Sequence, residues 1–430
     1  MHRIAFIQLS DIHFVKSSGD PADIDKELRE LIMVDIEVNA KNQIPKFDGV
    51  LLCGDIAFSG QEYEYKNAMD FLRQITSKLS IDISSVYCVP GNHDVDQKVA
   101  AGRKFIYDLQ NKLDHQSTLD KADGEFERIL RDEECKRIFF DPLQNYNNFA
   151  TQFSCNIGAE NLLWKASFNL DHGMGLNLYG MNSCLISNSD DNKVEGDKRL
   201  MYIGQNQIPG YEKNVVGMSL CHHPPECWKF KSDLLSRVNQ RVDIQMYGHM
   251  HEQSITCNDK NLMLFSGATH PARGTDWKPC YNWITVECVL EEERRLIKVV
   301  VYPRILTEER DRFAPDMKVC KGKLYFEYFI DIDNKQVDFY SDKKYIECEE
   351  QDSELDISDH RKPENNYRKV TFCFSNMTMV EQRKILIEHG LFEEKYSGEN
   401  YARYLKDIFL RAREKQVEDV LINKILGIGR

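Results

Sequence analysis

Residues 3–13 read RIAFIQLSDIH, and residues 86–94 read VYCVPGNHD. Each is a short apolar run that stops at a turn carrying carboxylate and imidazole groups. Such runs, bounded by turn signals, are the pattern of buried strands. Three more runs end the same way. Residues 47–53 lead into Gly54-Asp55, residues 215–221 into His222-His223-Pro224-Pro225, and residues 242–246 into Gly248-His249-Met250-His251. Helical stretches separate the first three runs. Leu28, Leu31, Ile32 and Ile36 share one face over 24–38, as do Tyr65, Met69, Leu72 and Ile75 over 62–79. This βαβαβ rhythm predicts a mostly parallel sheet with helices outside. In open α/β sheets, ligands bind beyond the carboxyl ends of the strands. Five segments far apart in the chain are therefore expected to converge on one edge.

The chain has 430 residues, more than one ordinary core needs, so a large domain and a smaller one are expected. Hydrophobic residues make up 42%, which argues against global disorder. The formal net charge of -13 disfavours extended, non-specific nucleic-acid binding. The N-terminus enters a strand at once, without a signal-peptide pattern, and no run of membrane-spanning length occurs. The 13 cysteines are an odd number, and no CxxC pair is present. Buried reduced thiols and a cytoplasmic location are expected.

The turn residues suit a pair of metal ions. Imidazole together with carboxylate selects zinc, iron or manganese over calcium. Asp11-x-His13 and His249-x-His251 each place two ligands at one strand end. A lone carboxylate at Asp55 can bridge two cations, and Asn92 offers a neutral oxygen. The neighbouring glycines let the backbone come close to such a site. Two metals can clamp both the attacking and the leaving oxygen of a phosphoryl displacement.

In this order, DxH, GD, GNHD, H and GHxH, the motifs resemble the calcineurin-like metallophosphoesterases over residues 3–305. The resemblance implies a four-layer α/β/β/α sandwich and a dinuclear centre of two divalent ions (Mn, Fe or Zn). It implies that Asp11, His13 and His251 hold the first metal, that Asn92, His222 and His249 hold the second, and that Asp55 bridges them. It places His93 beside the scissile phosphate, as general acid for attack by a metal-activated hydroxide. Asp94 either orients that imidazole or caps the following segment. Asn92, His223 and Arg273 are the candidate substrate contacts, with His270 beside Arg273. Purple acid phosphatases of this superfamily carry a tyrosine ligand shortly after GD, where Phe58 stands here. The HHPP stretch and Gly54–Gly60 are similar to bacterial cyclic-nucleotide phosphodiesterases of the family. A phosphodiester of nucleotide type is therefore the expected substrate, with a DNA nuclease or a phosphomonoesterase as alternatives.

The domain reading is residues 1–305 catalytic, with a helical insertion at 97–155, then a β extension at 306–340. Two late strands at 283–287 and 296–302 read as a hairpin, and 317–340 as another. Residues 341–368 read as a charged linker, and 369–430 as a small all-α domain. In that domain Thr378 and Glu381 have capping-box spacing, and Gly390 falls at a helix end. Its helix spacing resembles death-fold-like, effector-associated adaptors of bacterial conflict systems. That resemblance implies a protein partner that recruits the enzyme through 369–430.

Overall fold

A computed structural model describes residues 2–15, 23, 25–191, 199–258, 260–270, 277–292, 294–332, 364–396 and 401–427. Strands β1 (Arg3–Leu9), β2 (Gly49–Leu52) and β3 (Val86–Cys88) run parallel, with β1 in the middle of their sheet. A second sheet follows from β4 (Leu163–Asn169), β5 (Gly175–Met181), β6 (Val215–Cys221), β7 (Ile244–Tyr247), β8 (Ser254–Cys257) and β9 (Leu262–Phe265). Its spatial order is β4-β5-β6-β7-β9-β8, with β5, β6, β7 and β9 parallel. The chain then returns to the first sheet with β10 (Cys280–Glu291) and β11 (Arg294–Leu306). These form an antiparallel hairpin whose first arm pairs with β1.

The apolar residues explain this closure. Both faces of β1 and β2 are buried, which only sheet-on-sheet and helix-on-sheet packing together can achieve. The helices at Lys26–Asp35 and Glu62–Leu79 lay Leu28, Ile32, Tyr65, Leu72 and Ile75 onto the first sheet. Facing residues of the second sheet, such as Leu176, Leu178, Val216 and Met246, join the same core. The outer face of the second sheet is covered by Leu234 and Val238 of the helix Lys231–Arg241, and by the insertion. The result is the expected α/β/β/α sandwich.

The insertion is fastened rather than appended. Leu109, Leu113, Leu119 and Phe126 fill the outer core of the second sheet, while Tyr146, Phe149 and Phe153 join the main core. Asp114 also pairs with Arg199 (2.9 Å) and Lys229 (3.0 Å) of the second half.

Beyond β11 the second hairpin expected at 317–340 is described only as far as residue 332. β12 (Phe313–Pro315) and β13 (Phe326–Asp331) both pair with β11 and not with each other. The proposed return arm at 333–340, and most of the predicted linker, lie outside the described residues. The terminal helices start at Glu364, so residues 364–368 are helical where the composition had placed linker. The Thr378–Glu381 capping box forms, and Gly390 adopts φ +64° past the helix Met379–Glu388. Phe374, Leu386, Leu391, Ile408, Phe409 and Leu421 build a separate small core. Val420, next to buried Leu421, is exposed.

Arg368 ties this unit to the sandwich. Its buried guanidinium donates to the carbonyls of Ser84 (3.1 Å) and Val86 (2.6 Å) and lies 4.0 Å over the Tyr87 ring. Nearby, Phe372 stacks on Phe153 at 6.2 Å. Among the described residues every cysteine is free, and no helix is long and apolar enough to cross a membrane. Removing the guanidinium leaves two buried carbonyls unsatisfied. Arg368→Ala should lower stability by about 3 kcal/mol, read as an earlier urea midpoint. An unshifted midpoint would refute the anchoring role.

Candidate metal centre

The five turns do meet at one edge, and the backbone pays the strain of bringing them there. Asp11, His13, Asp55, His249 and His251 all adopt left-handed φ, between 51° and 67°. Each such non-glycine residue costs about 1–3 kcal/mol, and that cost persists only where the surroundings enforce it. The glycines make the close approach possible. A Cβ on Gly54 would lie 2.5 Å from His222 Nδ1, and one on Gly91 would lie 2.1 Å from Asp55 Oδ1.

Asp55 sits at the centre. Its Oδ2 is 3.2 Å from His13 Nε2 and 3.3 Å from His222 Nε2, and its Oδ1 accepts the His93 backbone N–H at 2.8 Å. Burial opposes its ionisation, but His222 and His13 outweigh burial and hold it well below the ordinary carboxylate range. On one side, Asp11 Oδ1 lies 3.1 Å from His251 Nε2. Asp11, His13 and His251 bring one ligand atom each within 4.8 Å of one another. The same spacing holds for His222, His223 and His249 on the other side, and for Asp11, Asp55 and His222 between. The set of imidazole and carboxylate donors suits divalent cations. Two atoms at the cluster, Asn92 Oδ1 and His251 Nδ1, are buried without a hydrogen-bond partner. Buried polar atoms are rarely left so, and open oxygen and imidazole donors of this kind fit a cation-binding cluster. His222 Nδ1 is fixed on the Cys53 carbonyl at 2.8 Å, which turns Nε2 towards Asp55.

The chain belongs to the calcineurin-like phosphoesterase family. The family profile matches residues 4–253, which contain every one of these turns. The family hydrolyses phosphoric esters with divalent metals, and the Asp and His groups described above are this chain's candidate ligands. Among solved structures, zinc-bound Vps29 from Entamoeba histolytica is 11% identical, covering 76% of this chain and 99% of its own, with a TM-score of 0.29. GAP50 from Plasmodium is 10% identical, covering 82% of this chain and 98% of its own, with a TM-score of 0.39. A predicted phosphoesterase from Streptococcus pneumoniae is 12% identical, covering 76% and 99%, with a TM-score of 0.27. No curated protein matches the chain.

Several sequence expectations change in detail. His93 Nδ1 meets the Phe58 carbonyl at 2.7 Å, and its ring lies 4.8 Å from that of His13. The carbonyl, not Asp94, orients this imidazole. Asp94 accepts from the backbone N–H of Ile56 (3.2 Å), Ala57 (2.9 Å) and Gly91 (2.9 Å), and from the Tyr65 hydroxyl (2.9 Å). It is a buried clamp between the GD and GNHD turns. Burial, then the Asp55 charge, pushes its pKa up to about 6 against those hydrogen bonds. His223 is 1% exposed, with Nδ1 2.8 Å from Ser183 Oγ and its ring 4.4 Å from that of His249. It stands in one candidate ligand group with His222 and His249. His270 is also buried, with Nδ1 2.6 Å from the Ile12 carbonyl, and burial pushes it down to about 4. It braces the Asp11 turn. Arg273 lies outside the described residues.

Sequence reasoning missed Ser183 and Tyr65, whose partners lie tens of residues away. It read Phe58 only as a missing tyrosine and passed over Trp277. Gly91→Ala should displace Asp55 and lower bound manganese or zinc at least tenfold, as loss of a supporting group does at metal sites. Elemental analysis beside an unchanged far-UV spectrum tests this, and full metal content would refute the close approach.

Proposed function

We propose that the chain is a dinuclear phosphodiesterase acting on a nucleotide-type ester. One observation carries the reading: a single oxygen, Asp55 Oδ2, faces an imidazole from each of two ligand groups. In this reading Asp11, His13 and His251 hold one cation (Mn, Fe or Zn). Asn92, His222 and His249 hold the other, and Asp55 is shared. When bound, the ions lower the pKa of water and neutralise phosphoryl charge.

The side chains supply the rest. Asp55 and Asp11 bring negative charge that offsets part of the ions' charge inside a buried site. The Phe58 carbonyl holds His93 by Nδ1, so Nε2 is the atom left to serve the reaction. His93 then gives its proton to the leaving-group oxygen as the P–O bond breaks, while water oxygen forms the new bond to phosphorus. Asp94 keeps the two turns in register. The HHPP and GD-Ile-Ala-Phe-Ser-Gly stretches favour a diester of nucleotide type over a monoester.

The terminal unit is assigned a second role. Its separate core leaves Val380 77% exposed, with Ile387 and Leu410 also outside. We assign residues 364–427 to contact with a protein partner that recruits the enzyme. A reducing, cytoplasmic setting fits the free cysteines.

His93→Ala should lower kcat about 10²–10⁴-fold while metal content stays near wild type. Asp55→Ala should lose metal and turnover together. Bis-p-nitrophenyl phosphate, cyclic nucleotides, nucleotides and single-stranded DNA form the substrate screen, with manganese added and Asn92→Ala as control. Undiminished turnover by the His93 variant would remove the proton-donor role. Metal-loaded protein inert on every diester would remove the phosphodiesterase reading.

A further inference from the structure

The floor of the cluster is imidazole and carboxylate, but its rim is not. Phe58 is 49% exposed, Trp277 42% and Met250 38%. The Phe58 ring lies 5.2 Å from His93 and 6.2 Å from His13. The Trp277 ring lies 4.7 Å from His251, edge to face. His13 joins the two ends, 4.8 Å from His93 and 5.5 Å from His251. A row of rings therefore crosses the cluster, with an open aromatic at each end.

Phe58 shares its exposure with Phe105 and Phe329, but Trp277 stands apart among the tryptophans. The other three tryptophans, Trp164, Trp228 and Trp283, are buried. Leaving an aromatic in water forgoes about 2–3 kcal/mol of burial. Rings left open beside a catalytic cluster are available to a ligand.

We propose that Phe58 and Trp277 form a stacking rim that holds the planar organic part of the substrate, and that this part is a nucleobase. The proposal rests on the nucleotide-ester reading and sharpens it. A phosphate confined to the cluster must send its ester substituents out over this rim. Phe58 flanks the proton donor His93, so the leaving group lies against Phe58. The retained substituent lies towards Trp277, on the His251 side. Base–aromatic stacking needs no charge and tolerates base identity, because every base has a π face. That contact remains open to an acidic chain of net charge -13, which offers little general attraction to a polyanion. Phe58 has two separable parts: its carbonyl holds His93, and its ring faces outward. Replacing the ring leaves the carbonyl in place.

The test compares two ligands that differ only in the base. Calorimetry on the full, manganese-loaded chain measures AMP against ribose 5-phosphate. AMP should bind about tenfold tighter. Phe58→Leu and Trp277→Leu keep apolar bulk without a π face; AMP carries one base, so the variant at the end it occupies should cut the advantage. The double variant should remove it, with ribose 5-phosphate affinity and metal content measured beside it, so that lost stacking is told apart from lost ions. Equal binding of the two ligands by wild type would overturn the rim, as would an advantage that survives in the double variant. Turnover of bis-p-nitrophenyl phosphate is followed in parallel. Its absence counts against the phosphodiesterase reading, whereas the AMP difference decides the rim on its own.

Discussion

A buried carboxylate between two imidazoles is the constraint on which this structure turns. Asp55 is nearly inaccessible, and desolvation alone would drive it neutral. It stays ionised because His13 and His222, from opposite sheets, both face the same oxygen. An unpaired buried charge is too costly to keep, so the pairing requires the two sheets to meet in one register. The His222 ring is in turn locked to Cys53, at the end of the strand next to Asp55. The sandwich and the cluster are thus a single arrangement.

Strain and support are kept apart. The ligand turns carry the left-handed residues, while the braces beneath them are ordinary hydrogen bonds. Asp94 holds Ile56, Ala57 and Gly91, and the segment at Thr269–His270 donates to the carbonyls of Ser10 and Asp11. Strained geometry at a functional site survives when neighbours over-determine it, and here each turn is held by another. Tyr65 extends the support outward. It donates to Asp94, and its ring stacks on Phe149 of the insertion at 5.2 Å.

Much of this was legible because strand periodicity and turn chemistry agree. The strand at 3–9, the helix at 62–79 and the strand at 215–221 stand where the apolar runs put them. The turns converge because each follows a strand. Strand β4 escaped notice because LWKASFN has a mixed burial pattern at a sheet edge. Strand β8 is short and half exposed, so it carries little hydrophobic signal. Asp94 could not be assigned from sequence because its donors at 56 and 57 come from another turn. His223 shares its motif with His222 and is equally buried; only their Nδ1 partners, Ser183 Oγ and the Cys53 carbonyl, tell them apart, and both lie far off in the sequence. Arg368 sits amid charged residues, and nothing local reveals that its guanidinium enters the sandwich.

That last side chain bears on how the protein is made. The carbonyls of Ser84 and Val86 belong to β3 and the turn just before it, yet their partner lies almost three hundred residues later. During synthesis the first sheet is complete in its strands only once β13 has emerged, and Arg368 follows it. Until then the ring of Tyr87 lacks its cover and the first sheet has an unfinished margin. Completion of the enzyme is therefore coupled to emergence of its last helices, and a nascent chain cut short before them remains a target for chaperones and proteases.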